Sequence, residues 1–385
     1  MTSTMGNAGN TSITRRTLLK VAAGASLAPG FAFAQAKPIK IGSVLSLTGP
    51  GAGLGHPERN GLLLAVKAIN AKGGVKGRPL EILIQDDGSK PDLAKSKAED
   101  LIFGEKVVAM IGPSLTASTG AIAAITNTEK MAQVTSTGLG PQIELTYKSL
   151  YHVLPPQSLN AKAMLEYATR ALKAKKIGVL HDTGYGQAVM ASLKQNSDPY
   201  GIEYVAVERF EVGATDVSAQ AAKVRAAQPQ VVFVVATSPV PFRNARQMKI
   251  EQPIVSAIGS ASYDYVKGMG EFADDIVFPE FVVGEDPLPR QAEFVELYRK
   301  EYNAPPKNFE AAGWDAVHLV ADAISKAGPD NREAIAAAMR HRYEGAMATY
   351  DFSAPDMTGI ELSSFVYSKV IKGKFTRLPF KAGGQ

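Results

Sequence analysis

The stretch GPGAGLGHPERNG (residues 49–61) follows an apolar run, IKIGSVLSLT, in the strand–glycine–helix order that often cradles a phosphate. The dinucleotide fingerprint needs G-x-G-x-x-G. From Gly51 the third glycine comes one place early, at Gly55, and from Gly49 the sixth residue is Leu54. No Lys-Ser or Lys-Thr pair completes a phosphate loop here. The acids Asp86 and Asp87 lie over 30 residues beyond the glycines, against the usual spacing of about 20 to a ribose-binding acid. The remaining readings are a plain connection or a ligand-facing loop at the carboxyl end of a strand. GPSLT (112–116) has the first part of a nucleophile elbow but lacks its last glycine. The five histidines, His56, His152, His181, His318 and His341, are scattered without an H-E-x-x-H pair, and there is no cysteine to build a zinc cluster. Asp86-Asp87 and Asp274-Asp275 are adjacent acids. Neighbours on a strand point to opposite faces, so they read as strand-end solvation and helix-start charge rather than an acid–base pair. No enzyme machinery and no cofactor site is therefore expected.

The elements that must position these residues alternate. IKIGSVLSL, LEILIQDD, VVAMIG and MAQVTST read as buried strands. Between them ERNGLLLAVKAINAKGG, DLAKSKAEDLIFGE and STGAIAAITNTEK read as helices, the first ended by Gly73-Gly74. Pro155-Pro156 interrupts the pattern, which restarts over residues 157–282 with strands KIGVLHD, IEYVAVERF, QVVFVVAT and PIVSAIG and helices between them. Two long helices follow, RQAEFVELYRKEY and FEAAGWDAVHLVADAISKAG, then NREAIAAAMRH, and the tail ATYDFS and SFVYSKVIKGKFTRLPF reads as strands. Such alternation predicts an α/β fold of two doubly wound, Rossmann-like parallel sheets wrapped by helices. Trp314 falls in a helical stripe with Val317 and Val320 and is expected in the core.

The first 36 residues read as a processing signal. Arg15-Arg16 precede an apolar, acid-free stretch, and Ala34-Gln35-Ala36 fits an A-x-A cleavage site. Paired arginines in this setting suggest the twin-arginine export route for folded proteins. With no cysteine, a lipid tether at the cleavage site is not expected, which points to the periplasm. The remaining chain of about 350 residues exceeds one core and predicts two domains. The formal charge is +5, of which Arg15, Arg16 and Lys20 belong to the leader. The interspersed remainder has no nucleic-acid footprint.

The opening IGSVLSLTGPGAGLGHPERNGLLLAVKAINAKGGVKGRPLEILIQDDGSKPDLA resembles that of periplasmic ligand-binding proteins related to the leucine/isoleucine/valine-binding protein. The likeness continues through VVAMIGPSLTAST, VTSTGLGPQ, IGVLHDTGYGQAV and GWDAVHLVADAISKAG. The resemblance implies two lobes joined by three crossings, near Pro155-Pro156, Val283-Gly284 and Tyr343-Gly345, closing on a ligand by hinge motion. Lobe 1 would comprise residues 37–156 plus 284–342, and lobe 2 residues 157–283 plus 343–385. By resemblance, Leu54 packs on the ligand from the glycine loop. Ser114, Leu115 and Thr116 form a carboxylate site at a helix start, with helix caps as the alternative reading of Ser114 and Thr116. Thr137 and Leu139 stand where relatives hold the head group, and Tyr185, Thr237 and Ile258 complete the ring from lobe 2. Tyr185 could also be a plain surface tyrosine.

One departure bears on the ligand. Amino-acid binders of this family carry a lobe 2 carboxylate for the ligand ammonium, and here Ile258 takes that place, with Asp264 the nearest acid. A buried, unpartnered ammonium is costly. The expected ligand is therefore a small carboxylate with an aromatic or hydrophobic body, with a branched-chain or other amino acid as the alternative. The implied partners are an inner-membrane ABC permease and its cytoplasmic ATPases, served by a monomeric receptor. A sensor role on the same body and an exported hydrolase are the competing functions.

Overall fold

The computed structural model describes residues 37–137, 146–353 and 359–384. The leader expected over 1–36 and Leu139 lie outside the described residues. Five parallel strands form a first sheet in the order β2-β1-β3-β4-β5. They are β1 (Ile39–Leu45), β2 (Leu80–Asp86), β3 (Met110–Ile111), β4 (Gln133–Thr135) and β5 (Leu150–His152). β1 lies between β2 and β3 and is buried along nearly its whole length, as expected of a central parallel strand covered on both faces. Helices α1 (Ala52–Ala71), α2 (Pro91–Glu99) and α3 (Thr116–Thr128) connect these strands.

The second sheet has seven strands in the order β14-β13-β10-β9-β8-β6-β7. These are β6 (Lys176–Asp182), β7 (Glu203–Phe210), β8 (Val231–Val235), β9 (Ile254–Val255), β10 (Val277–Glu280), β13 (Val366–Ile371) and β14 (Lys374–Leu378). Strands β6 to β10 run parallel, and the β13–β14 hairpin adds to β10 antiparallel. The hairpin turns at Lys372-Gly373, both with positive φ (50° and 74°), the combination that matches the twist of two-residue hairpins. Helices α4 (Gln157–Glu166), α5 (Tyr185–Asn196), α6 (Ser218–Ala226), α7 (Val240–Gln247) and α8 (Tyr263–Met269) belong to this part of the chain. The later helices are α9 (Ala292–Tyr302), α10 (Asn308–Ala327) and α11 (Arg332–Ala338). A separate two-stranded ladder pairs β11 (Arg342–Glu344) with β12 (Thr349–Asp351).

The later helices rejoin the first sheet through α1. A Cβ at Gly61 would collide with the Glu310 carbonyl, and one at Gly313 with the Glu58 carbonyl, so two glycines let α1 and α10 meet backbone to backbone. Trp314 is 5% exposed and packs near Phe294 and His318, a core position.

Two expectations are corrected in detail. The first helix begins at Ala52, inside the glycine cluster, and not at Glu58, so the expected loop supplies its first turn. Pro57 stands inside this helix, where its missing N–H forfeits the bond to the Gly53 carbonyl. The helix expected over 92–105 passes at Asp100 into a π-helical turn, Asp100–Gly104. Strands β5 and β10 are not among the strands read from the sequence; the structure pairs β5 on β4 and β10 between β9 and β13.

Candidate functional site

The site residues fall into two clusters, each at the carboxyl end of one sheet. In the first, Asp86 ends β2. Its carboxylate accepts from the amides of Leu47 (2.9 Å), Thr48 (3.2 Å) and Gly88 (2.9 Å) and from the Thr48 hydroxyl (2.7 Å). Burial opposes its ionisation, but the Thr48 hydroxyl and these amides outweigh it and hold Asp86 below its ordinary value. Ser89 donates to the Thr48 carbonyl (2.7 Å) and accepts from Gly51 (3.0 Å), which fastens the glycine turn to the end of β2. Asp87 is fully buried, where exposed strand-end solvation was expected; its Oδ1 accepts from Ser89 and its Oδ2 has no partner.

Leu54 sits half-buried in the first turn of α1. Leu115 is half-buried and packs toward Gly51, where a Cβ would come within 3.1 Å of its Cδ1. Leu115 is also the residue preceding α3, and its apolar side chain does not cap that helix. The first amides of α3 stand at the positive end of its helix dipole, where an anion is favoured. Thr116, the first residue of α3, is exposed.

Ser114 differs. It is 1% exposed, donates its hydroxyl proton to Glu58 at 2.6 Å and accepts from the Ser46 amide at 3.3 Å. Glu58 was not singled out from the sequence, because nothing local marks a charged residue in the second turn of a helix as buried. Its burial pushes its pKa up to about 7, opposed only in part by the nearby hydroxyls of Ser114 and Ser136. Thr137 joins a hydroxyl chain, with Thr119 at 2.5 Å and Thr135 at 3.2 Å, and its carbonyl meets His152 Nδ1 at 2.7 Å.

In the second cluster, Asp182 at the end of β6 is also saturated. Its Oδ1 accepts from the amides of Gly184 (3.0 Å) and Gly186 (2.7 Å), and its Oδ2 from the amide (2.9 Å) and hydroxyl (3.1 Å) of Thr237. Asp182 was also not singled out, though it is the residue that ties the Tyr185 turn to Thr237. Tyr185 opens α5. Its hydroxyl accepts from Asn160 Nδ2 (3.2 Å) and the Gly259 amide (3.0 Å), and its ring lies on Gly259, where a Cβ would collide with it. Burial pushes its pKa up to about 12, so it is a neutral phenol with one proton to donate. Ile258 is buried, and Asn160 Oδ1 accepts from its amide at 3.4 Å. Tyr185, Ile258 and Asn160 are therefore in one bonded group, while Thr237 is exposed and joined to it through Asp182.

Among the described residues no group of three or more His, Cys, Asp or Glu side chains is placed to hold a metal, and no helix is long and apolar enough to cross a membrane. The family model for periplasmic binding proteins matches residues 38–371. The chain is similar to the leucine-, isoleucine-, valine-, threonine- and alanine-binding protein of Pseudomonas aeruginosa, 26% identical over 79% of this chain and 83% of that protein. It is also similar to Leu/Ile/Val-binding protein homolog 3 of Brucella melitensis, 26% identical over 84% of this chain and 89% of that protein. Among solved structures it resembles the branched-chain amino acid transporter substrate-binding protein LivJ of Streptococcus pneumoniae in complex with isoleucine. That likeness has a TM-score of 0.79 and 28% identity, covering 88% of this chain and 98% of the other.

Proposed function

The chain belongs to the periplasmic binding protein family, and from that premise we propose that it captures a small carboxylate with an aromatic or hydrophobic body and hands it to an ABC permease. The lobes are assigned as residues 37–156 plus 284–342 and 157–283 plus 343–385. The ligand carboxylate is received by Thr116 and the first amides of α3, with Leu54, Leu115 and Thr137 around it. Tyr185, Thr237 and Ile258 meet it from the other lobe. A ligand that touches both lobes favours the closed state by its differential affinity. No bond is made or broken.

The observation that carries the absence of an ammonium from the ligand is the state of the acids. Asp86 and Asp182, which end β2 and β6, each already accept from four of the chain's own donors. By resemblance, Ile258, which is buried and apolar, takes the place of the ammonium partner. A second reading, a branched-chain amino acid, is favoured by the names of the similar proteins from Pseudomonas aeruginosa and Streptococcus pneumoniae.

A thermal-shift panel of benzoate, phenylacetate, isovalerate, 4-methyl-2-oxopentanoate, L-leucine and L-isoleucine separates the two. A ligand at about 100 times its Kd stabilises by roughly 2.7 kcal/mol, a rise of a few degrees. Shifts with the acids and none with leucine are expected. Shifts with leucine or isoleucine alone would establish the amino-acid reading instead.

A further inference from the structure

We propose that Glu58 is a proton-linked positioning residue of the anion-binding turn, so that capture of a carboxylate ligand is coupled to uptake of one proton at Glu58. The ligand half of this statement rests on the function proposed above; the proton half does not.

Glu58 lies inside the first lobe, 2% exposed, in the second turn of α1. Its Oε2 takes the single hydroxyl proton of Ser114, two residues before the exposed Thr116 that starts α3. Its Oε1 is buried with no hydrogen-bond partner among the described residues. Glu58 forms no ion pair among the described residues. The end of β2 faces it with Asp87, a second buried carboxylate whose Oδ2 is likewise unpartnered. The end of β1 contributes Ser46, and the end of β4 contributes Ser136. From α10 the backbone of Gly313 abuts the Glu58 backbone. Among the described residues the pocket thus has hydroxyls and a second acid but no ion-pair partner for an ionised Glu58, and its raised pKa accords with this.

Two hydrogen-bond arrangements follow from the inventory of donors. With Glu58 ionised, Ser114 donates to it and accepts from the Ser46 amide. With Glu58 protonated on Oε2, the carboxylic acid donates to Ser114 Oγ, and the Ser114 proton is released to turn away from Glu58. An anion arriving at the start of α3 brings another negative charge to a region already holding Glu58 and Asp87. It is accommodated best when Glu58 takes a proton from solvent, which both removes the charge and reorients the Ser114 hydroxyl.

The test has two parts. In the full protein without ligand, carbon-detected NMR of the glutamate carboxyls follows pH 4 to 9. A carboxyl titrating between about pH 6 and 8 and missing in Glu58→Gln is expected, with the amide signals of Thr116 and Ala117 moving at the same midpoint. Should Glu58→Gln not fold, the wild-type amide titration still decides. A Glu58 midpoint below pH 5, or Thr116 and Ala117 amides that do not move with it, would overturn the proposal.

The second part is calorimetry with benzoate and with L-leucine, in two buffers of different ionisation enthalpy, at pH 6, 7 and 8. Net proton uptake near neutral pH is expected, with affinity falling up to about tenfold per pH unit above the midpoint. Both effects should be absent in Glu58→Gln. Tight binding without proton exchange in the wild type would refute the coupling. If neither probe binds, the functional reading loses its support, while the ligand-free titration still decides for or against Glu58.

Discussion

Tyr185 is held through its oxygen. Two N–H groups, from Asn160 and Gly259, point at the phenol, and the phenol keeps its own proton to offer. Removing the oxygen leaves the Gly259 amide without its acceptor. Tyr185→Phe is therefore expected to cost about 1–3 kcal/mol of stability in urea unfolding. In calorimetry it should also weaken binding of the cognate carboxylate. Unchanged affinity would take the hydroxyl out of the ligand site.

Glu58 makes a prediction in pH. Its pKa is raised from 4.5 to about 7 in the folded chain, so the native state binds more protons than the unfolded one between those values. Stability then falls as pH rises through that window and levels off above it. The full loss is at most about 3 kcal/mol. Asp315, raised to about 6, adds a fall of the same sign. The difference between wild type and Glu58→Gln, measured as urea midpoints at pH 5, 6, 7 and 8, isolates Glu58. It should shift steadily in favour of the glutamine variant as pH rises to about 7.

At the scale of elements, the β11–β12 ladder is anchored to α10 by one carboxylate. Asp315 is fully buried and accepts from the amides of Ala346 (2.7 Å) and Met347 (2.8 Å) and from the Tyr350 hydroxyl (2.8 Å). Gly345 is required beside it, because a Cβ there would collide with the carboxylate. Asp315→Ala strands three donors at once and is expected to cost about 3–5 kcal/mol. Hydrogen exchange should show the amides of Ala346 and Met347 losing protection while those of β1 keep theirs. The tail strands and the helix stripe of α10 were legible in the sequence as apolar periodicity. The anchoring was not, because Asp315 and Ala346 are far apart along the chain and nothing local to either residue points to the other.

At the scale of the whole molecule, a buried ion pair joins the second sheet to the helix that packs on α1. Lys307, just before α10, pairs with Glu280 at the end of β10, and Ser368 of β13 donates to the same glutamate. The Lys307 ammonium also lies 3.4 Å from the centre of the Phe375 ring. Asn308 Oδ1 accepts from the Phe281 and Val282 amides, which fixes the chain as it leaves β10. Lys307→Met leaves Glu280 buried without its cation and should cost about 3–5 kcal/mol. Adding Glu280→Leu should restore much of that loss, measured by urea unfolding. Solution scattering should show the radius of gyration falling when a carboxylate binds; an unchanged profile at saturation would argue against closure.

Length, the alternation of apolar strands with amphipathic helices and the glycine positions were enough to determine an α/β fold of two largely parallel sheets, but not the antiparallel β13–β14 hairpin at the edge of the second. Those signals are local, since burial on both faces makes a strand continuously apolar and each helix records its own buried stripe. The likeness of the loops after β1, β3 and β6 to those of a binding-protein family was equally a property of short segments. Which polar groups are spent inside the protein was decided by tertiary structure alone. In the sequence Ser114 looks like available chemistry, Asp86 like strand-end solvation, and nothing singles out Asp182 or Glu58. Only the approach of α1 to the β3–α3 turn buries Glu58 against Ser114. Only the convergence of the β6 and β8 ends makes Asp182 a fastening for Thr237 and the Tyr185 turn. Hydrogen bonds between residues 55 or so apart in the chain, such as Glu58–Ser114 and Asp182–Thr237, depend on the packing of whole elements and leave no mark on the local pattern.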